Sequence, residues 1–456
     1  MTKFIRLRLT SLLVFAITAA AESARAEAPP KDRMPDYKGT GQKPEGPSPL
    51  LWIPRVLAAP LYVISEFGLR QPFGLLVRSA DFGNWPVSIY DFFTTADHKV
   101  GIFPTFFVDF GFRPSVGFLF FWNDALVRNN DVRVGFGTWG PDWINSALVD
   151  RYQFDERGSW VGLESRFTRR SDLLFFGEGP ESLDSNESRY ESTRLEVAPA
   201  LAKKFYNSSV LYTRIGLRTV SYGDGTCCGD PSVAERVQQG AYPPPEGFGE
   251  SRAVGFQRID LAIDSRKDRP APGSGYRFEA HVEPVFWPRE HAPRGWVRYG
   301  GGLGGALDLT GTQRTLSLML SAAFADPLVG GEVPFDDQII LGGGIRPPGV
   351  FMGGLMRGFK FGRLTDRSAA VAQLEYTWPI WVFLDGVAAV EVGNVFGPHL
   401  ADFSADLLRA TGVFGMRTND KRDQVFELLI GTGTRPFGEG AGLESFRFAI
   451  GTHFGF

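Results

Sequence analysis

The chain has 456 residues, of which 43% are hydrophobic, 14% aromatic and 22% charged, with a formal net charge of −3. This balance excludes a disordered or collagen-like polypeptide and provides apolar surface for one or two folded domains. With a pI near 6.1 there is no case for the basic face that nucleic-acid binders present, so nucleic acid is not an expected partner.

Lys3, Arg6 and Arg8 precede an apolar run from Leu9 to Ala21, and small residues follow up to Ala24-Arg25-Ala26. That order is the pattern of a secretory signal, and the run is shorter than the roughly 20 residues of a spanning helix. Residues 1–26 therefore read as a cleaved signal peptide, with the mature chain starting at Glu27. Residues 27–49, with six prolines, read as a linker. In residues 50–95 Leu51, Ile53, Val56, Leu57, Tyr62, Val63 and Phe67 recur at helical spacing, while Pro54, Pro60 and Pro72 should divide the stretch into short amphipathic pieces. This N-terminal periplasmic segment could be an interfacial or core-packing helix, or a helix lying across a barrel mouth.

From about residue 96 the hydrophobic period becomes two. In the last segment Phe446, Phe448, Ile450, Thr452, Phe454 and Phe456 share one face, and Arg447, Ala449, Gly451, His453 and Gly455 the other. Similar runs lie near 101–110, 114–123, 131–139, 145–154, 159–167, 192–202, 208–221, 255–266, 275–286, 295–309, 312–325, 370–381, 385–396, 407–417 and 424–435. After the signal no window approaches 18 uninterrupted apolar residues, which excludes a helical span, whereas a mean hydropathy of −0.10 suits alternating strands. The chain thus reads as an all-β transmembrane barrel of about 16 antiparallel strands, spanning residues 96–456, in the bacterial outer membrane and its lipid. Connections starting near 168, 222, 326, 397 and 436 are long and those near 203, 310, 382 and 418 brief, as outer loops and periplasmic turns should be.

Three stretches carry a family resemblance. "LMRGFKFGR", residues 355–363, resembles the V-R-G-F/Y motif on the sixth outer loop of the BamA/TamA family of bacterial surface antigens, through Arg357, Gly358 and Phe359. "AIDSRKDRPAPGSG", residues 262–275, resembles that family's hairpin between strands eight and nine, through Asp264, Arg266, Asp268, Pro272 and Gly275. "QLEYTWPI", residues 373–380, resembles its twelfth strand, and the aromatic end with Phe454 and Phe456 resembles the signal by which such barrels are recognised for assembly. The resemblance covers the barrel and implies insertion or translocation of polypeptides, with an unfolded outer-membrane or secreted protein as client. The family's POTRA modules have no counterpart in residues 27–95, which leaves room for a separate POTRA-type periplasmic partner. A structural barrel or passive pore without clients is the alternative.

Strand parity gives Arg357 a physical reading of its own. Gln373, Glu375 and Thr377 share one face of the twelfth strand and Leu374, Tyr376 and Trp378 the other, so Glu375 points into the lumen. Ala389, Glu391 and Gly393 face inward from the thirteenth, where the family usually carries Asp in place of Glu391. A guanidinium can bridge two carboxylates with charge-assisted bonds, so loop 6 is expected to fold into the lumen with Arg357 locked to Glu375 and Glu391. Gly358 would let the loop backbone approach the wall, and Phe359 would pack there. Asp264, Arg266 and Asp268 read as turn chemistry with a short ion-pair cluster. No catalytic residue, metal site or cofactor is expected: the five histidines lack ligand spacing, no serine sits in a G-x-S-x-G elbow, and "GGGLGG" at 300–305 precedes a strand instead of a helix. Cys227 and Cys228 are adjacent and form either a vicinal disulfide or two free thiols.

Overall fold

The computed structural model describes residues 51–70 and 85–454, apart from 226, 267–272, 290–291, 312, 344–351, 353, 382–383 and 419–423. The signal peptide, the proline-rich linker, Asp268, Pro272 and Phe456 lie outside the described residues. Eighteen strands follow in order: β1 (Val100–Asp109), β2 (Ser115–Asn123), β3 (Asn130–Thr138), β4 (Trp143–Gln153), β5 (Trp160–Phe175), β6 (Ser188–Lys204), β7 (Val210–Asp224), β8 (Arg252–Asp264), β9 (Gly275–Trp287), β10 (Arg294–Asp308), β11 (Thr315–Val329), β12 (Ile339–Leu341), β13 (Leu364–Asp366), β14 (Ser368–Trp381), β15 (Leu384–Phe396), β16 (Arg409–Thr418), β17 (Gln424–Thr434) and β18 (Leu443–Phe454). Sixteen of them close into one antiparallel barrel in chain order, β11 pairing with β14 and β18 returning to β1. The short pair β12–β13 is separate from the wall and belongs to the connection between β11 and β14.

The wall is inside out by the standards of a water-soluble protein. On β7 the outward Ile215 and Leu217 are 60% and 70% exposed, while the inward Arg214 and Arg218 are buried. Only a hydrocarbon surround makes that arrangement favourable, because backbone polar groups and charges must then be satisfied internally. Each of the sixteen alternating segments in the sequence is a strand of the wall. β5 and β6 run well beyond their alternating parts, to Phe175 and from Ser188. In the added stretch Arg169, Arg170, Ser171 and Asp172 break the apolar alternation, and the register shifts between Arg170 and Leu173. There the wall has left the lipid and stands in water as a support for the outer loops.

The N-terminal residues form helix α1 (Trp52–Val63), which continues as a π-helix over Ile64–Arg70, and helix α2 (Trp85–Phe93). Pro54 sits in the first turn, where an N–H is not needed, and Pro60 lies inside α1 without ending it. The expected break at Pro60 is therefore absent, and the helix instead widens past Val63. α1 does not cross the barrel mouth. Its Ala58 is buried with Leu309, Tyr376, Trp378, Ile380 and Leu384, and Tyr376 and Trp378 have the outward parity of Leu374, which is itself exposed. The helix thus covers two residues on the outward face of β14. It is α2 that stands at the lumen mouth, where Tyr90 and Phe93 rings lie 5.8 and 5.6 Å from the ring of Phe103 on β1. Cys227 and Cys228, in the β7–β8 connection, form a vicinal disulfide.

The outward set should be intolerant of charge. Leu320, mid-strand on β11 and 54% exposed, is expected on replacement by Arg to lose about 2–4 kcal/mol of stability near the bilayer midplane. Urea titration of the barrel in lipid vesicles reads this loss; an unshifted midpoint would contradict the lipid-facing assignment of β11.

Candidate functional site: the plugged lumen and its seam

The connection from β11 to β14 folds back into the barrel. Its Val333, Ile339, Leu341, Met352, Leu355, Met356, Phe359 and Leu364 are buried in one cluster with wall residues that include Val254, Phe256, Val285, Trp296, Ala323 and Val371. The inward face of the wall is apolar at this level, so the loop supplies the lumen with a hydrophobic core of its own.

Arg357 sits at the end of that core, 3% exposed. Its Nε donates to Glu391 Oε1 at 2.7 Å and its backbone N–H to Glu391 Oε2 at 2.6 Å. Its Nη2 donates to Glu375 Oε2 at 2.7 Å. Glu391 also accepts from Gln373 Nε2 at 2.9 Å and Thr411 Oγ1 at 3.0 Å, while Glu375 accepts from Arg417 Nη2 at 2.6 Å. The extra methylene of Glu391 relative to Asp is taken up by this grip on both backbone and side chain of one residue. Close approach makes the geometry available. A Cβ on Gly358 would lie 2.1 Å from the Thr432 carbonyl oxygen, and one on Gly433 would lie 2.4 Å from the Phe359 ring. Phe359 is completely buried.

A second set of contacts holds the start of the loop. Asp337 accepts from Arg194 Nη2 at 3.1 Å and lies 3.5 Å from Arg218 and 3.4 Å from Arg298. Asp336 is paired with Arg252. These arginines come from β6, β7, β8 and β10, and Arg218 and Arg298 share Glu283. Burial pushes the Asp337 carboxyl up, but Arg298, Arg218, Arg252 and Arg194 pull it far below the usual carboxylate range, so it stays charged. At the outer rim, Lys360 pairs with Glu187 at 2.9 Å and Arg363 with Glu444 at 2.6 Å.

The wall itself has one weak line. Among the described residues β1 and β18 share three register pairs, Phe107↔Gly451, Val108↔Ile450 and Asp109↔Ala449, whereas β16 and β17, the next shortest pairing, share seven. Beside that short ladder Arg447 of β18 binds Asp109 of β1 with Nη2 to Oδ2 at 2.8 Å and Nε to Oδ1 at 3.0 Å. Arg447 Nη1 also donates to the carbonyl oxygen of Arg357 at 3.3 Å. The seam and loop 6 thus share one arginine.

The hairpin residues form a separate local cluster at the opposite end of the barrel. Asp264 accepts from the backbone N–H of Arg266 at 3.0 Å, its Nη2 at 2.6 Å and Arg277 Nη1 at 3.0 Å. Gly275 opens β9, where a Cβ would lie 2.5 Å from Ser265 Oγ. Phe454 ends β18 opposite Gln424. Sequence reasoning missed Arg447 and Asp109, the two loop aspartates with their arginines, and Gly433. Arg447 had been visible as the one charged residue on the inward face of the last segment.

An antiparallel sixteen-stranded barrel with an apolar outer face and a loop folded into its lumen is the architecture of an integral outer-membrane protein. The Omp85 superfamily domain matches residues 144–408, more than half of the chain, and the protein belongs to that superfamily. No curated protein sequence matches the chain. Among solved structures it is similar to BamA from Haemophilus ducreyi lacking POTRA domains 1-3, at 12% identity over 78% of this chain and 70% of that one, with a TM-score of 0.52. CdiB from Acinetobacter baumannii is similar at 12% identity over 78% of this chain and 60% of that one, with a TM-score of 0.45. At 12% identity the likeness to BamA is one of fold.

Removing the Arg357 side chain would leave Glu391 in the lumen with three neutral donors, the backbone N–H of residue 357, Gln373 Nε2 and Thr411 Oγ1. Arg357→Ala is expected to cost about 3–5 kcal/mol, the range for breaking a buried pair from one side, while combining Arg357→Met with Glu391→Gln should recover part of it. Urea unfolding and protease cleavage of residues 344–356 in the vesicle-bound protein read both effects. An unaltered midpoint and cleavage pattern would remove the lock.

Proposed function

We propose that this barrel assists the insertion or translocation of polypeptides at the outer membrane, the client engaging the seam between β1 and β18 while Arg357 keeps loop 6 inside the lumen. The observation that carries this reading is that the seam shows a three-pair ladder among the described residues. In hydrocarbon each unsatisfied backbone group costs several kcal/mol, so a wall opens most readily where fewest ladder pairs are lost. A parted seam presents strand edges on which an incoming chain can add a strand by main-chain hydrogen bonding. Membership of the Omp85 superfamily supports the same reading.

Arg447 gives the seam a link to the plug, since the side chain that holds Asp109 across the seam also holds the Arg357 carbonyl. A client is expected to be an unfolded outer-membrane or secreted protein. A separate periplasmic chain of POTRA type would be a partner in client capture. Residues 1–26 would direct export and be removed. The passive-pore reading is less well supported, because described loop residues such as Leu355, Met356 and Phe359 pack apolar side chains against the inward wall.

Val108 and Ile450 are opposed across the seam, and Val390 and Gly412 across the β15–β16 pairing. Oxidised V108C/I450C is expected to lose client insertion or translocation in reconstituted vesicles and to regain it on reduction, while oxidised V390C/G412C keeps it. Full activity with the seam cross-linked would overturn the proposal. Solute efflux without any effect on clients would favour the pore.

A further inference from the structure

We infer that α1 and its π-helical continuation are a lipid-embedded element, seated against the outer wall with their exposed face in the acyl chains of the periplasmic leaflet. The first reason is polarity. From Trp52 to Arg70, which ends the π-helix, the charged residues are Arg55, Glu66 and Arg70, and the two within the apolar run are turned to the barrel: Arg55 Nε donates to the Leu309 carbonyl at 2.5 Å and Glu66 pairs with Arg314. Ser65 is buried as well. The opposite face carries Trp52, Ile53, Val56, Val63, Ile64 and Phe67, each at least half exposed. A helix docked on a protein in water does the reverse, laying its apolar stripe inward and its charges outward. Here the apolar side has been left for the solvent, and the solvent that accepts it is hydrocarbon.

The second reason is position. The residues under the helix, Tyr376 and Trp378, lie on the face of β14 that continues into the exposed Leu374, and partly buried Leu316 and Met416 of β11 and β16 adjoin them. The helix therefore extends the lipid-facing band of the wall. It does so at the end that holds the short β10–β11 connection with Leu309 and Arg314, opposite the long loops. Among the described residues no helix is long and apolar enough to cross a membrane, which leaves a helix lying along the leaflet.

The third reason is how the charges are sealed. Arg314 is 2% exposed. Besides Glu66 it donates to Ser65 Oγ at 3.0 Å and Tyr376 Oη at 3.2 Å, and its guanidinium stacks 4.6 Å from the centre of the Tyr62 ring. A cation so enclosed between helix and wall needs no water, as a site beneath lipid requires. Trp52 and Tyr62 are the residue types that settle at the headgroup level.

The test uses the full chain with Cys227 and Cys228 replaced by Ser, carrying an environment-sensitive NBD label at V56C or I64C, in phosphatidylethanolamine–phosphatidylglycerol vesicles. The expected result is blue-shifted emission, loss of fluorescence with lipids doxyl-labelled on the acyl chain, and resistance to aqueous iodide, against strong iodide quenching at E439C in the last outer loop. Water-like emission with iodide quenching equal to that at E439C would overturn the inference. So would disulfide formation between V56C residues of two molecules without doxyl quenching, which would identify a second copy as the cover. Neither outcome depends on whether the seam handles clients.

Discussion

Hydrocarbon tolerates neither an unpaired backbone group nor an unpaired charge, and the architecture of this protein follows from that intolerance. Sixteen strands close because an open sheet would leave a row of unsatisfied groups in lipid. The outer face becomes apolar along the mid-wall, so the charges there turn inward. Arg214, Arg218, Arg252, Arg298 and Arg447 are all buried in the lumen, and a lumen lined with arginines requires carboxylates.

Loop 6 answers part of that requirement and creates another part. Asp336 and Asp337 bring negative charge to the arginines of β6, β7, β8 and β10, while Arg357 brings positive charge to Glu375 and Glu391 on the other side of the barrel. The loop is tethered at two places by charges of opposite sign, with an apolar core between them. Its interactions close electrostatically only when it is inside, which gives the plugged state a single register on the wall. Buried ion pairs are weak sources of net stability but severe penalties against rearrangement.

The seam departs from the rule that governs the rest of the wall. Its short ladder saves few backbone bonds, and the Asp109–Arg447 pair does the work of holding the two strands where the ladder is brief. Arg447 also donates to the Arg357 carbonyl, so one side chain contacts both the seam and the loop. On the far side of the same wall, α1 covers Tyr376 and Trp378 and turns its own apolar face outward. The first is a feature of how the sheet closes, the second of how the N-terminal helix packs on its outer face.

Alternation alone placed the sixteen strands, since a period of two with an apolar face is a local property of each segment. The same parity put Glu375 and Glu391 in the lumen, and the motif around Arg357 named the residue that stands between them. The tertiary structure decided what local pattern does not carry. Tyr376 and Trp378 have a lipid-facing parity, yet a helix more than 300 residues earlier in the chain covers them. The aspartates of loop 6 meet arginines from four strands, and no spacing in the sequence records which. The length of the β1–β18 ladder depends on how the barrel's two ends meet after closure. Sequence determines which way each strand faces because that is settled residue by residue; which charges meet, and where the wall is thin, is settled only when the ends of the sheet come together.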